Sequence, residues 1–380
     1  MNNSNQPPPT SDKKRLLSLD VFRGLTVAAM ILVNNPGDDS HVYAPLEHAK
    51  WNGCTPTDLI FPSFLFIVGV SIVFAMDSKK AQTANHSGML LSVIRRTLIL
   101  IGLGIFLSLY PMFNFHTVRI PGVLQRIGLV YGIGGLLFIK TKPKTQFVLF
   151  WLFLVSYYLL MTRMPVPGTG HASLDPESNI GAWLDRSLLG GHLWKHSKTW
   201  DPEGLLGTIP ALSTCLFGML TGWWLKRKDL TNSIKVTRLL LTGAIAVILG
   251  LLWNLTFPIN KSLWTSSFVL FAGGIGAMAL AVLYWLIDVK QYRRFTKPFV
   301  VYGVNAITVF FLSGIIARTL LNIKISNRGN TTNLQVYLYR LLFEPFFSPV
   351  NASLAMAIAW VLFWFGILWM MYSKKIFIKV

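Results

Sequence analysis

The chain has 380 residues with a mean hydropathy of +0.51, and 53% of them are hydrophobic while only 13% are charged. This composition is too apolar for a water-soluble domain of that length, so the solvent of the chain is a bilayer. The formal net charge of +20 is spread over short segments between apolar stretches, which excludes the single basic face of a nucleic-acid-binding protein.

Ten apolar stretches are each long enough to cross about 30 Å of hydrocarbon. They lie near 17–36, 58–76, 90–110, 121–139, 146–162, 206–225, 238–257, 264–287, 299–321 and 353–373. The sequence therefore predicts an all-α integral membrane protein, a polytopic bundle of about ten transmembrane helices surrounded by lipid. The fifth stretch is short, so counts of nine to eleven stay open.

Most of the 35 lysines and arginines lie in alternate connections between these stretches. By the positive-inside rule those connections, and both termini, are predicted to be cytoplasmic. Residues 1–16 are predicted to be a disordered cytoplasmic tail, because they are polar and rich in proline. Residues 17–380 then form one transmembrane domain, and its long periplasmic loops are predicted at 35–57, 163–205 and 322–351.

A charged residue inside a predicted helix needs a partner or water, and we single out Asp20, Arg23 and Arg126 on this ground. Asp20 and Arg23 are three residues apart on one helical face, and two interpretations stay equally open, an internal ion pair and a ligand contact. Arg126 has no carboxylate near it in sequence, and we predict that it lines a cavity.

A dense polar cluster lies outside the membrane between residues 33 and 58. His48 offers a general base or an acyl acceptor, and Asn34 offers an amide that can stabilise an oxyanion. Asp58 or Glu47 offers a carboxylate that can fix the imidazole tautomer. A solvated, non-catalytic His48 is the alternative interpretation.

A second polar group precedes the sixth stretch. Asp201 and Glu203 are interpreted either as ligands of sugar hydroxyls or an amine, or, for Asp201, as a helix N-cap. His192 and His196 have a spacing that suits zinc in a helix, but no third ligand accompanies them, so we predict no metal. Asn305 in the ninth stretch is predicted to line the same cavity or to hydrogen-bond between helices.

The same residues stand in longer stretches that resemble the heparan-α-glucosaminide N-acetyltransferase family of transmembrane acetyltransferases. The stretches are SLDVFRG at 18–24, LVNN at 32–35, HAKWNGCTPTDLIFPSFLFIVGVS at 48–71, RIPGVLQRIG at 119–128 and DPEGLLGTI at 201–209. The chain has no counterpart of the additional N-terminal non-cytoplasmic domain of the animal enzymes. This difference suggests a bacterial member in the cytoplasmic (inner) membrane.

The resemblance implies transfer of acetyl from cytoplasmic acetyl-CoA to the amine of a terminal glucosamine across the membrane. The family's active-site histidine maps onto His48 and its asparagine onto Asn34, and we add Asp58 as the third catalytic residue. A homodimer is expected from the family alone. The residues predicted to bind acetyl-CoA are Arg23, Gln125, Arg126 and Asn305. The residues predicted to bind the amino sugar are Glu47, Trp51, Asn52, Asp201 and Glu203.

Three other functions are alternatives for this sequence. A transporter of amino sugars would use the same cavity, but the sequence lacks the internal repeat that such transporters usually have. An O-acetyltransferase of an envelope polysaccharide would use the same cosubstrate and the same histidine on a hydroxyl acceptor. A structural scaffold fits poorly with charges inside the predicted helices.

Overall fold

The protein is described here from a computed structural model, which covers residues 16–82, 85–327 and 330–378. Apart from Leu16, the predicted N-terminal tail lies outside the described residues. The described chain is an α-helical bundle with one short β-hairpin. The fold class predicted from the sequence is thus confirmed.

The helices and strands follow one another with short connections on one side of the bundle and longer ones on the other. They are α1 Leu17–Asn34, α2 Ile60–Gln82, α3 Ser87–Leu109, α4 Val123–Lys140, α5 Pro143–Arg163, α6 Ile180–Leu189, α7 Thr208–Lys226, α8 Asn232–Trp253, α9 Ser266–Leu283, α10 Thr296–Val304, α11 Ala306–Asn322, β1 Lys324–Asn327, β2 Asn330–Asn333, α12 Leu334–Leu342 and α13 Pro349–Ser373.

Within the described ranges, 9 helices are long and apolar enough to cross a membrane, and the pair α10–α11 makes a tenth span if it counts as one. Each of them overlaps one of the ten predicted stretches. Two shorter helices, α6 and α12, lie in the long loops and were not predicted as spans. The hairpin β1–β2 was not predicted at all.

Close helix packing holds the centre of the bundle. A Cβ added to Gly218 on α7 would lie 2.0 Å from the carbonyl oxygen of Phe66 on α2, so the two backbones are in direct contact there. Phe66 itself is fully buried beside this contact. Dispersion contacts of this kind, rather than a hydrophobic force, hold helices together in lipid.

The ninth predicted span is not one straight helix. α10 and α11 meet at Asn305 with a bend of 75°. The Asn305 side chain donates to the carbonyl of Ile376, 3.1 Å away, and accepts from the N–H of Ile378 at 3.0 Å. These contacts tie the bend to the segment after α13, and a cavity-lining role for Asn305 stays a prediction.

The two ends of the bundle differ in what connects them. At one end, which we call the loop end, lie the segments 35–59, 110–122, 164–207 and 254–265. Backbone hydrogen bonds join these segments to each other, from Gly53 to Ile259 at 2.8 Å and from Ile120 to His192 at 3.0 Å. Sequence-distant polar residues therefore meet at the loop end.

Candidate active site

His48 lies at the loop end and is held by a buried carboxylate. Its Nδ1 is 2.7 Å from Oδ1 of Asp58, whose side chain is 1% exposed. Oδ2 of Asp58 accepts from the backbone N–H groups of Ala49 and Thr55. Because a carboxylate only accepts hydrogen bonds, Nδ1 carries the proton and Nε2 is left as the lone-pair nitrogen.

Asp58 is positioned by the start of the second span. Thr55 and Asp58 form a capping box at the 3-10 turn Pro56–Leu59, which leads directly into α2. The same carboxylate thus closes a helix N-terminus and orients the imidazole. A side chain fixed by both its cap and its helix is a rigid support for a catalytic group.

Lys261 completes this group from a segment more than two hundred residues away. Its Nζ is 3.2 Å from Nδ1 and 3.4 Å from Nε2 of His48, and 3.7 Å from Oδ1 of Asp58. Burial lowers the pKa of Lys261, while the charges of Glu203 and Asp58 act in the opposite direction. The three side chains of His48, Asp58 and Lys261 are called the His48 cluster below.

A turn between α8 and α9 places Lys261. Oδ1 of Asn260 accepts from the N–H of Leu263, and Oγ1 of Thr265 accepts from the N–H of Asn260. Gly53, at a φ of +109° that favours glycine, donates its N–H to Ile259 and so joins the His48 loop to this turn.

Cys54 lies near the His48 cluster, and its surroundings disfavour the thiolate form. Burial, with a contribution from the charge of Asp58, raises the pKa of the Cys54 thiol to about 12. Only a thiolate attacks an acyl group efficiently. His48 is therefore the better acyl acceptor of the two.

Asn34, the predicted oxyanion donor, ends α1 at the same end of the bundle. Its side chain is exposed, and no hydrogen bond to another described residue holds it. Its neighbour Asn35 is buried instead and donates to the carbonyl of Ile31 at 2.8 Å. The described contacts leave Asn34 free to meet a ligand, but do not join it to His48.

Asp201 and Glu203 form a second ion cluster at the loop end. Arg119 donates from Nε to Oδ2 of Asp201 at 2.8 Å and from Nη2 to Oδ1 at 2.5 Å, and it also pairs with Glu203. Asp201 does not cap a helix, since α7 begins at Thr208 after Gly207. The N-cap alternative is therefore wrong. Arg119, Asp201 and Glu203 are called the Arg119 cluster.

Arg126 lies near the loop end of α4 and is 1% exposed. It donates from Nη1 to the carbonyl of Pro202 at 3.0 Å and from Nη2 to that of Gly204 at 2.8 Å. Its Nε and the Nε2 of the neighbouring Gln125 are buried without a hydrogen-bond partner among the described residues. Unpaired buried donors are costly unless a ligand or water meets them.

Three of the residues predicted to bind the sugar lie in the His48 loop. Glu47 is exposed. Trp51 donates from Nε1 to the carbonyl of Leu174 at 3.1 Å and packs edge-on against Trp200 with 5.1 Å between ring centroids. Asn52 accepts from Asn260 at 3.2 Å, which helps to hold the loop to the turn that carries Lys261.

The other predicted residues lie apart from the His48 cluster. Arg23 pairs with Asp20 at 3.2 Å and donates to Ser71 at 2.8 Å, and a ligand contact at Arg23 stays a prediction. Asn305 is at the α10–α11 bend described above. His192 is outside any helix, and its Nδ1 lies 2.8 Å from the carbonyl of Val118. Over the described ranges, no group of three possible ligands is placed to hold a metal ion.

Sequence reasoning missed two residues of the site. Lys261 is an isolated lysine in the short 254–265 connection, and only the pairing of Gly53 with Ile259 brings it to His48. Asp185 lies on α6 beside Arg126, in a loop where charged residues are expected on the surface. The burial of Asp185 could have been recognised from the amphipathic pattern of this short helix, because Asp185 lies on the same buried face as Ile180 and Ala182.

The chain was compared with known proteins. The family model described as "Heparan-alpha-glucosaminide N-acetyltransferase, catalytic" matches residues 15–252. Two curated proteins named heparan-alpha-glucosaminide N-acetyltransferase are similar to the chain, one from Mus musculus and one from Homo sapiens. The mouse protein is 33% identical over 355 residues, which cover 79% of this chain and 53% of the relative. The human protein is 33% identical over 352 residues, covering 78% and 52%. The chain thus spans about half the length of these relatives.

Proposed function

The chain belongs to the heparan-alpha-glucosaminide N-acetyltransferase catalytic family, and from that premise we propose that it transfers acetyl from acetyl-CoA to the amine of a glucosamine-type sugar. The cosubstrate comes from the cytoplasm and the acceptor lies on the far, periplasmic side of a bacterial inner membrane. The observation that carries the proposal is the half-exposed imidazole of His48, whose Nδ1 is bound by a buried carboxylate.

His48 acts through Nε2. Asp58 keeps the proton on Nδ1, so Nε2 holds its lone pair and either accepts the acetyl group or removes a proton from the acceptor amine. Both routes form the C–N bond of the amide and release the thiol. The geometry of His48 serves either route.

The oxyanion that develops on the carbonyl needs a donor beside Nε2. The Lys261 ammonium lies 3.4 Å from that nitrogen and supplies a positive charge there. The amide of Asn34, exposed and unbonded at the end of α1, is proposed as the second donor. Substituting Lys261 and Asn34 one at a time measures how much each contributes to stabilising the oxyanion.

Acetyl-CoA supplies an activated acetyl thioester when bound. The chain's own residues fit such a ligand in one respect, since Gln125 and Arg126 keep buried donors without partners near the loop end of α4. These donors are proposed to bind carbonyl oxygens of the acyl arm. Arg23 and Asn305 are proposed to contact the cosubstrate nearer the opposite end.

The test uses sealed vesicles that carry the purified protein in one orientation. Labelled acetyl-CoA is added on the side of the basic connections, and glucosamine is trapped on the other side. Acetylated glucosamine inside the vesicles supports the proposal. Release of unacetylated glucosamine from the vesicles would instead support a transporter, and acetylation only of a hydroxyl sugar would support an O-acetyltransferase. Product formed only from acceptor on the acetyl-CoA side would overturn the transmembrane geometry.

A further inference from the structure

A basic and aromatic surface lies at the end of the bundle opposite the loop end. It consists of residues 290–297, which connect α9 to α10, and residues 374–378, which follow α13. α9 starts directly after the loop-end turn 254–265, and α13 starts where Ser353 donates to the carbonyl of Asp38, so both helices end at the opposite side. These two segments are called the basic-aromatic patch below.

The patch carries positive charge that the described chain does not compensate. It contains no aspartate or glutamate, and its exposed cations are Lys290, Arg293, Arg294, Lys297, Lys374 and Lys375. Within the described ranges, no carboxylate forms an ion pair with any of them. Asp288, the nearest carboxylate in sequence, accepts instead from the N–H groups of Leu17 and Ser18 at the start of α1. Because like charges on one surface repel, an anion bound between them is favoured.

The backbone of the 290–297 segment is fixed by local hydrogen bonds. Gln291 has a φ of +59°, in the left-handed region that is unfavourable for a residue other than glycine. Its side chain donates from Nε2 to the carbonyl of Asp288 at 2.6 Å. Further along, the hydroxyl of Thr296 donates to the carbonyl of Arg293 at 2.8 Å. The segment therefore presents its exposed side chains from a defined turn.

α10 holds the two segments of the patch close together. The Nζ of Lys297, in the first turn of α10, lies 4.5 Å from the ring centroid of Trp369 on α13. Asn305, directly after the last residue of α10, is hydrogen-bonded to Ile376 and Ile378. α10 has 9 residues, which corresponds to about 14 Å of helix. The charges of both segments thus act on one small surface.

Two tryptophans indicate how deep in the membrane this surface lies. Trp285 and Trp369 are partly exposed near the ends of the helical segments that carry them, and Lys290 and Lys297 lie over their rings. Tryptophan at the end of a span is typical of the membrane–water interface. A lysine beside it extends its ammonium towards the headgroup phosphates while its stem stays on apolar surface. The patch therefore lies at the level of the lipid headgroups.

Exposed apolar side chains lie between the cations. Tyr292 and Phe295 are each 67% exposed, and the apolar run Ile376, Phe377 and Ile378 is exposed beside Lys374 and Lys375. Large apolar side chains this accessible are unfavourable in water. They are favourable at the boundary between headgroups and acyl chains, where basic residues meet anionic lipid at the same time.

From this placement we infer that the basic-aromatic patch binds anionic phospholipids of the adjoining leaflet. The cations contact phosphate oxygens, and the guanidinium groups of Arg293 and Arg294 each offer two parallel donors to a phosphate. The rings of Tyr292 and Phe295 insert between neighbouring headgroups. This contact goes beyond the proposed acetyl transfer and does not depend on it, since it uses no residue of the His48 cluster.

The experiment measures lipid binding to the full-length protein, purified in detergent, by native mass spectrometry. Phosphatidylglycerol, with one negative charge, is compared with zwitterionic phosphatidylcholine of the same acyl chains. We expect wild type to bind phosphatidylglycerol at least about tenfold more tightly. The triple variant Lys290→Gln, Arg293→Gln, Arg294→Gln should bind the two lipids with affinities within about twofold of each other.

The matched control removes the same charge from another basic connection at the same end of the bundle. Lys140, Lys142 and Lys144 are exposed, and residues 140–145 include no aromatic side chain. The variant Lys140→Gln, Lys142→Gln, Lys144→Gln should keep the wild-type preference for phosphatidylglycerol. An equal loss of preference in this control, or no preference in wild type, would overturn the inference.

The source of the phosphate is tested separately, because acetyl-CoA also carries phosphates. Its affinity for the triple patch variant, measured by calorimetry, should stay within about twofold of wild type. A loss of tenfold or about that size would assign the patch to a soluble phosphate ligand and overturn the lipid contact. Should the triple variant not fold, wild type decides the question. A photoactivatable phosphatidylglycerol should then label residues 290–297 or 374–378, and labelling confined to other segments would contradict the inference.

Discussion

Two ion clusters lie at the same end of the bundle and use their atoms differently. In the Arg119 cluster one guanidinium binds two carboxylates, and the Asp201 side chain is 0% exposed. In the His48 cluster the carboxylate is equally buried, but the imidazole is 52% exposed, so a ligand can approach it. The difference teaches that a functional site is recognised by polar side-chain atoms that the fold leaves accessible to a ligand.

The largest effect on activity is expected from a substitution in the His48 cluster. Replacing His48 with alanine should lower acetyl transfer by about 1000-fold or more, because the acyl acceptor or general base is lost. Labelled acetyl-CoA with glucosamine as acceptor measures this rate. The midpoint of thermal unfolding in detergent should hardly change, since the side chain is half exposed.

His116→Ala provides the control for that substitution, because His116 is an exposed histidine at the same end of the bundle. It should retain the wild-type rate. Normal transfer by His48→Ala would remove the imidazole from the mechanism and leave the comparison of the two clusters without a functional meaning.

A smaller loss is expected at Lys261. Lys261→Met removes the positive charge beside Nε2 and should lower kcat by about 100-fold, with little change in the KM for acetyl-CoA. Lys261→Arg should recover part of the rate. Lys50→Met, an exposed lysine in the His48 loop, is the matched control. A change in KM alone would assign Lys261 to binding rather than to the transition state.

A substitution in the Arg119 cluster is expected to change the stability of the protein more than its activity. Arg119→Met leaves two buried carboxylates unpaired and should lower the free energy of unfolding by about 3 kcal/mol. Thermal unfolding in detergent measures this. Arg227→Met, which breaks the exposed pair with Asp229, should leave the midpoint unchanged. An Arg119 variant of wild-type stability would show that the cluster does not hold the loops together.

The smallest effect concerns pH and Asp185. Its pKa is raised to about 6 in the fold from 3.8, so its ionised form destabilises the fold above about pH 6 and the penalty vanishes below about pH 4. The groups that face it are Arg126, Arg186, Asp201 and Tyr157. Asp185→Asn should therefore melt about 2 °C above wild type at pH 7.5. The gain should disappear towards pH 4, and a gain independent of pH would contradict the burial argument.

The spans were predictable from the sequence because the bilayer imposes one requirement on each of them. A run such as 58–76 has to bury its backbone polar groups in a helix, and its apolar composition shows this directly. The bend at Asn305 was missed for the same reason. Composition is apolar on both sides of it, and only the contacts with Ile376 and Ile378 distinguish it.

The candidate site was only half predictable. His48 and Asp58 are ten residues apart, and Asp58 belongs to a capping box at the start of the second span, so local sequence suggested their contact. Lys261 and Asp185 come from distant segments, and no local pattern indicates which loop residues meet. Asp201 and Glu203 were predicted as sugar ligands. Their common partner Arg119, 82 and 84 residues away, could not be recognised from spacing, and whether a sugar reaches them stays a prediction.

The 213-residue separation of His48 and Lys261 has a consequence for biosynthesis. The histidine leaves the ribosome early, but its lysine follows only after the first seven spans and most of the seventh connection between spans are made. A chain interrupted before that point carries the imidazole without its ammonium neighbour. If Lys261 acts as proposed, acetyl transfer requires that the chain has been synthesised at least as far as the turn before α9, so a product terminated earlier would consume no thioester.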